Sequence, residues 1–402
     1  MRRPFSRVWL GFVFSCAGLT LACMGNAPAS AAALNTLTAQ ELAEGWVLLF
    51  DGQTLFGWEP ATKVNWKAAE GVISADAGEQ GLLCTTSQFG NYLLKVDFRC
   101  RKEANSGVFL RTPPKPEKDD VRDKCYELNI ADPATHPFPT GSFAGRKRCE
   151  GSHDSTEWQT FEVTADGGHF VVKLDGKTVL DYTDPKPTLR GHIGLQFNTG
   201  KIEFRSVKLK PLGTVSLLSG KDLSGWKIHA KNKSRWTVTP EGWLHLQNGP
   251  GQLETEGQYA DFTLQLETMV NGKSLNSGVF FRSIPGDFQN GYESQIHNGF
   301  KDGDRTKPVD CGTGGVFRRQ NARKVVPNDR EWFSKTIHAD GPHMAVWVNG
   351  SQVSDWTDRR APAENPRQGL RLKAGTIILQ GHDPTTDFFF RNLRIAELAP
   401  GP

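Results

Sequence analysis

Residues 49–58 read LFDGQTLFGW, and residues 217–226 read LLSGKDLSGW. The echo continues in order. Residues 105–111 (NSGVFLR) return as 276–282 (NSGVFFR), and Tyr126-Glu127 returns as Tyr292-Glu293. Asp181-Tyr182-Thr183-Asp184 returns as Asp355-Trp356-Thr357-Asp358, Leu195-Gln196 as Leu379-Gln380, and Phe204-Arg205 as Phe390-Arg391. An offset of roughly 165–185 residues is far longer than the 20–50-residue period of solenoids and propeller blades. The chain therefore carries one whole module twice. Each copy is long enough to bury a full core without staples, and a polar position kept in both copies is a comparison made within one sequence.

The expected organisation is a leader over residues 1–33, a first copy over 34–211 and a second over 212–402. Arg2, Arg3 and Arg7 precede an apolar run from Val8 to Cys23, and small residues follow through Ala33. That order is the pattern of a secretory signal, so export to the periplasm or outside is expected. Cys23 after Thr20-Leu21-Ala22 leaves lipid anchoring open. The apolar run is short for a membrane span, and no transmembrane span is expected in the mature chain. Losing three arginines and no acids lowers the formal charge from +4 to +1. A near-neutral body without a basic block argues against a nucleic-acid partner.

Cys84, Cys100, Cys125, Cys149 and Cys311 remain, and an oxidising compartment permits bridges in the first copy. The four cysteines of the first copy allow three pairings; Cys125 and Cys149, flanking its most loop-rich part, are the pair favoured. Absence of Cys-x-x-Cys spacing argues against structural zinc.

One helix is expected, at residues 38–44, with Thr38 as cap and Glu41 three positions on as in a capping box. The remaining runs are short, alternating and rich in Val, Phe, Leu and Thr: 92–99, 159–163, 170–174 and 202–209, matched by 262–268, 333–338, 344–348 and 388–395. Asp175-Gly176 and Asn349-Gly350 each sit between two such runs and predict tight hairpins. The fold class is all-β, an antiparallel sandwich or jelly roll in each copy. The short linker near Pro211-Leu212-Gly213 suggests that the copies pack together.

Alternation sends Tyr126, Leu128 and Ile130 to one strand face and Glu127 and Asn129 to the other. In the second copy Tyr292 and Ile296 oppose Glu293, Gln295 and His297. The same count puts Arg111 beside Phe109 and Arg282 beside Phe280, while Gln196 shares a face with Asn198 and Gln380 with His382. A carboxylate, a guanidinium and amides converging on one concave face suit a carbohydrate, whose hydroxyls need donors and acceptors. A buried Arg–Glu ion pair is the competing explanation. Trp58, Trp226, Phe204-Arg205 and Phe390-Arg391 read as structural, and the Asp181/Asp184 and Asp355/Asp358 pairs as turn and cap groups. No cofactor motif is present: nucleophile elbow, phosphate loop and dinucleotide fingerprint are all missing. No metal site is expected from His or Cys spacing, although a hard divalent cation held by Glu, Asp and carbonyl oxygens stays open.

Taken together, LFDGQTLFGW, NSGVFLR, Tyr-Glu-x-Asn/Gln-Ile, Leu-Gln and the closing Phe-Arg motif resemble the 3-keto-disaccharide hydrolase domain family, once per copy. The resemblance implies two tandem concanavalin-like jelly-roll sandwiches that cleave glycosides oxidised at C3. It implies a pocket of Asn105, Arg111, Glu127, Asn129 and Gln196 in the first copy. In the second it implies Asn276, Arg282, Glu293, Gln295, Gln380 and His382. The expected roles are Glu127 or Glu293 as base, Arg111 or Arg282 as enolate stabiliser, and the amides as hydroxyl ligands. Ser219 departs from the pattern where the first copy has Asp51. A tandem lectin-like binding protein is the alternative, since fold does not fix function.

Overall fold

The computed structural model describes residue 1 and residues 34–400, apart from 118, 119, 121, 122, 133, 135, 152 and 154. The leader and Cys23 lie outside the described residues. Thr38 caps the helix Ala39–Glu44 through a full capping box with Glu41, and Gly45 ends it in the left-handed conformation. Among the described residues no helix is long and apolar enough to cross a membrane.

The strands form two β-sandwiches. In the first, an eight-stranded sheet runs Lys177–Thr183, His169–Leu174, Gln159–Asp166, Tyr92–Cys100, Ile202–Pro211, Val72–Ala75, Lys67–Ala69, with Val47–Leu48 also paired to Ile202–Pro211. It faces a five-stranded sheet ordered Trp58–Pro60, Gly81–Thr85, His192–Phe197, Asn105–Thr112, Tyr126–Ala131. The second sandwich repeats both orders. Its five-stranded sheet runs Trp226–Ile228, Gly251–Thr255, Thr376–Gly381, Ser277–Ser283, Tyr292–Ile296. The strand pairings are antiparallel throughout, and hairpin neighbours alternate with neighbours distant in sequence, as in a jelly roll. Asp175 and Gly176 turn the hairpin at φ of 49° and 80°, and Asn349 and Gly350 at 45° and 72°. Positive φ at both central residues matches the right-handed strand twist.

Apolar residues fill the space between the sheets. Tyr126, Leu128, Ile130, Phe161, Phe170 and Phe204 are buried in the first sandwich, and Tyr292, Ile296, Phe388 and Phe390 in the second. Trp58 and Trp226 are core residues whose indole N–H groups donate to the carbonyls of Leu49 and Leu217. Asp184 accepts from the Tyr126 hydroxyl at 2.9 Å and Asp358 from Tyr292 at 2.7 Å, so two of the repeated motifs are one tie in each copy. Asp51 closes a turn by accepting from the Gln53 and Thr54 N–H groups; Ser219 does the same for Lys221 and Asp222. The substitution therefore keeps the turn.

The expected Cys125–Cys149 bridge is corrected. Both thiols are free and buried, donating to the carbonyls of Asp120 and Thr140 respectively; Cys84 and Cys311 are also free. Those carbonyls hold the two sulfurs at different places, so flanking one loop did not bring them together.

Contacts between the sandwiches are both polar and apolar. Arg190 of the first reaches Asp261 at 2.7 Å and also Asp340. The Ser87 hydroxyl meets His343 at 3.2 Å, and the Trp347 indole donates to the Leu48 carbonyl at 2.9 Å. Trp347 and Ala345 belong to the first sandwich's apolar cluster although their strand lies in the second.

Candidate active site

In each sandwich the outer face of the five-stranded sheet gathers the repeated polar residues around a glycine. Gly107 pairs with Asn129, and Phe109 with Glu127. A Cβ at Gly107 would lie 3.3 Å from Glu127 Cγ and 3.5 Å from Gln196 Oε1. At Gly278 it would come within 2.5 Å of Glu293 Oε1. The glycine of the NSGVF motif is thus the space into which the glutamate folds.

Burial sets the acidity of that glutamate. It raises the Glu127 carboxyl from 4.5 to about 7, with the Gln196 amide beside it pulling the other way. Glu293, more deeply buried, is also raised to about 7. Its own burial is the main cause. Arg367, whose Nη2 lies 3.7 Å from Oε2, opposes the rise and Asp310 adds to it. A desolvated carboxyl poised near neutrality is suited to taking and returning a proton.

Arg111 and Arg282 are not on this face, and the expected enolate-stabilising role is corrected. Two residues, Leu110 and Arg111, oppose one on the neighbouring strand, because His192 pairs with Thr112 and Gly194 with Phe109. Arg111 sits at φ 51° in this bulge, which breaks the alternation and turns its side chain inward. Its guanidinium donates to the carbonyls of Gly90, Gly167 and Thr188 at 3.0, 2.6 and 2.8 Å and to Asn91 Oδ1 at 3.1 Å. Arg282, at φ 46° in the matching bulge, donates to Ala260, Gly341 and Arg371 carbonyls and to Asp261. Both side chains are buried and tie loops at one end of the sandwich. The anticipated Arg–Glu ion pair is absent too, since Arg282 pairs with Asp261.

The amides divide. Asn105 Oδ1 and Gln196 Oε1 in the first copy, and Gln295 Oε1 and Gln380 Oε1 in the second, are buried without a hydrogen-bond partner. An orphan acceptor costs about 1–3 kcal/mol until a donor such as a ligand hydroxyl arrives. Asn129 is instead committed to its own loop, its Nδ2 reaching the Phe138 carbonyl and, at 3.1 Å, His136 Nδ1. Gln295 Nε2 donates to Asn276 Oδ1 at 3.1 Å and to Asp310 Oδ2 at 2.9 Å, and Asn276 Nδ2 donates to the same Asp310 oxygen at 2.7 Å. Gln380 donates to Gln289 at 3.1 Å. His382 stands at the exposed rim, bonded to Asp383.

Three neighbours of Glu293 escaped sequence reasoning: Asp310 and Arg367, on loops without a repeated motif, and Lys335. Lys335 takes the strand position of Phe161 in the first copy. It is fully buried, and its Nζ donates to the Ser294 and Gln295 carbonyls at 2.8 and 2.9 Å. Burial holds its pKa well below 10.5. The two outer faces also differ in cover. Leu82 and Cys84 of the first are replaced by Gln252 and Glu254. These hold the loop 284–290 down through Gln289 N–H (2.6 Å to Gln252 Oε1) and Gly286 N–H (3.1 Å to Glu254 Oε1). Among the described residues no group of three or more His, Cys, Asp or Glu side chains is arranged to hold a metal ion.

The profile of the 3-keto-α-glucoside-1,2-lyase-like domain family matches residues 45–210 and again residues 213–396. The chain belongs to this family, twice over. A curated relative, a 3-keto-disaccharide hydrolase of Bacteroides thetaiotaomicron, is 28% identical over 127 residues, which is 27% of this chain and 44% of the relative. The match thus spans less than half of that relative's length. Among solved structures, a candidate glycosyl hydrolase from Parabacteroides distasonis is 22% identical with a TM-score of 0.40, covering 44% of this chain and 99% of its own. A carbohydrate-binding module of Bacillus subtilis is 17% identical with a TM-score of 0.31, covering 38% and 94%.

Proposed function

We propose that the protein is an exported enzyme that cleaves 3-keto-disaccharides or related 3-keto-glycosides, with Glu127 and Glu293 as the bases of its two sites. The observation that carries this reading is the carboxyl raised to about 7 over a bare glycine, present in both copies. A ketone at C3 acidifies the C2 proton, and the glutamate removes it. The C1–O bond then breaks, its electron pair leaving with the departing oxygen, which takes a proton. Water adds across the resulting C1=C2 enone, hydroxyl to C1 and proton to C2, for net hydrolysis. With the arginines buried, the Gln196 amide beside Glu127 is the donor available to the developing enolate oxygen. The amides of Asn105, Gln196, Gln295 and Gln380 are the groups that would meet ring hydroxyls. Family membership supports the substrate class.

The test is product formation by the leaderless protein from a C3-oxidised disaccharide, with the unoxidised sugar as control. Cleavage of the oxidised sugar alone, lost when both Glu127 and Glu293 become Gln, is the expected result. Saturable binding of both sugars without cleavage would replace this reading with a tandem lectin-like one.

A further inference from the structure

The loop after the site strand is built alike in both copies. Phe143 bridges Leu128 and Lys147, and Val316 bridges Ser294 and Gln320. Arg146 and Arg319 therefore occupy one position, and so do Gly145 and Arg318. In the first copy Arg146 is locked: Nη1 lies 2.9 Å from Asp184 Oδ2, Nη2 donates to the Cys125 carbonyl, and the group stacks on Tyr126. In the second copy the corresponding acid, Asp358, is held at two points by Arg360, at 2.8 and 2.7 Å. Among the described residues Arg319 makes no hydrogen bond to that acid and donates to the carbonyls of Arg318 and Arg367.

Arg318 makes the contrast sharper. The backbone there lies at φ 57°, where the first copy has Gly145 at φ 70°. An L side chain is strained in that conformation, so the arginine is carried against a backbone preference for glycine. Arg367 arrives on a loop of its own, 3.7 Å from Glu293. With Glu293 and Pro366, these three arginines line a cavity of about 90 Å³, room enough for a carboxylate or sulfate group. Counting Arg360, four guanidinium groups meet two carboxylates, Glu293 and Asp358. Asp310, also close, is a third carboxylate, hydrogen-bonded by the neutral amides of Asn276 and Gln295, so the guanidinium groups exceed the carboxylates by one. Among the described residues no guanidinium bears on Glu127 in this way: burial and the Gln196 amide are what set its acidity there.

We propose that the cavity beside Glu293 is a subsite for an anionic substituent of the sugar, a carboxylate or a sulfate ester, and that the first copy serves neutral sugars. Guanidinium pairs bind such groups by two parallel hydrogen bonds. The identity of the ligand as a sugar rests on the proposed function; the anion preference does not.

The experiment is titration of the full chain with D-glucuronate, D-glucose 6-sulfate and D-glucose at low and raised salt. Variants are Arg318→Gly, which installs the residue of the first copy, and Arg367→Ala. Both anionic sugars should bind more tightly than glucose, and their affinity should fall with salt. The double variant should lose at least about tenfold of that selectivity, about 1.4 kcal/mol, while Arg318→Gly keeps or raises the melting temperature. Equal binding of charged and neutral sugars, or wild-type glucuronate affinity in a folded double variant, would overturn the proposal. Salt-sensitive glucuronate binding without turnover of any 3-keto-glycoside would instead refute the enzymatic reading alone.

Discussion

Replacing Glu127 by Gln should stabilise the protein and silence the first site together. The gap between 4.5 and about 7, at 1.36 kcal/mol per tenfold change in proton affinity, comes to about 3 kcal/mol. Its sign follows from the direction. A folded-state pKa above the unfolded value means that the native state holds the proton more tightly. Wild-type stability is therefore fully present below about 4.5 and is lost as pH rises towards and through 7. Gln carries no proton to lose, so the variant should match wild type at low pH and exceed it by about 3 kcal/mol at pH about 8. The carboxyl is partly exposed, which makes that figure an upper bound. For a domain of this size each 1 kcal/mol moves Tm by about 2–4 °C, so a gain of about 5–10 °C between pH about 5 and 8 is expected. Scanning calorimetry at the two pH values, on wild type and Glu127→Gln, reads it. Turnover of a 3-keto-disaccharide by a Glu293→Gln background should rise with pH through about 7, as the base ionises. A Glu127→Gln variant with the same Tm difference from wild type at both pH values would refute the reasoning.

Three further outcomes follow from the geometry. Arg111→Met and Arg282→Met each leave several buried carbonyls without a donor and should cost about 3–5 kcal/mol, read as a lower unfolding midpoint, with KM unchanged in whatever folded protein remains. Gly278→Ala drives a methyl into Glu293 Oε1 and should cut second-site turnover by at least about tenfold, about 1.4 kcal/mol in the barrier, in a Glu127→Gln background; undiminished turnover would remove the glycine from the site. Arg190→Ala strips the guanidinium from Asp340, while Asp261 keeps Arg282; it should cost about 3–5 kcal/mol and should split one calorimetric transition into two, and one unshifted transition would show that the Arg190 contact does not couple the sandwiches.

Much of the architecture was legible because it rests on local rules. The capping box at Thr38, the hairpin pairs Asp175-Gly176 and Asn349-Gly350, and the inward set Tyr126, Leu128 and Ile130 each depend on residues a few positions apart. What alternation alone misses is a bulge. Counting by two from Phe109 puts Arg111 on the open face, but one extra residue opposite Ile193 reverses it, and nothing in NSGVFLR announces a positive φ at its last residue. Lys335 misleads the other way: a lysine on a strand reads as solvent-facing, yet its stem spans the core and its amine finds two carbonyls. Asp310 and Arg367 come from long loops without a repeated motif, so comparison of the copies was silent about them.

Survival through duplication selects for the fold as strictly as for chemistry, and the arginines of this chain separate the two. Arg111 and Arg282 share motif, bulge and three carbonyl acceptors each, differing in a fourth partner, Asn91 against Asp261, and their constancy is explained by the loops they tie. Arg146 and Arg319 are also both arginines, yet one clamps an acid and the other is released from it because Arg360 has taken over the clamp. A residue can thus keep its identity while its role moves from structure to surface. The converse holds at Glu127 and Glu293, whose shared elevation comes from the same burial over the same glycine while their charged surroundings diverge. The common chemistry belongs in what both glutamates share, and the difference in substrate in what surrounds only one of them.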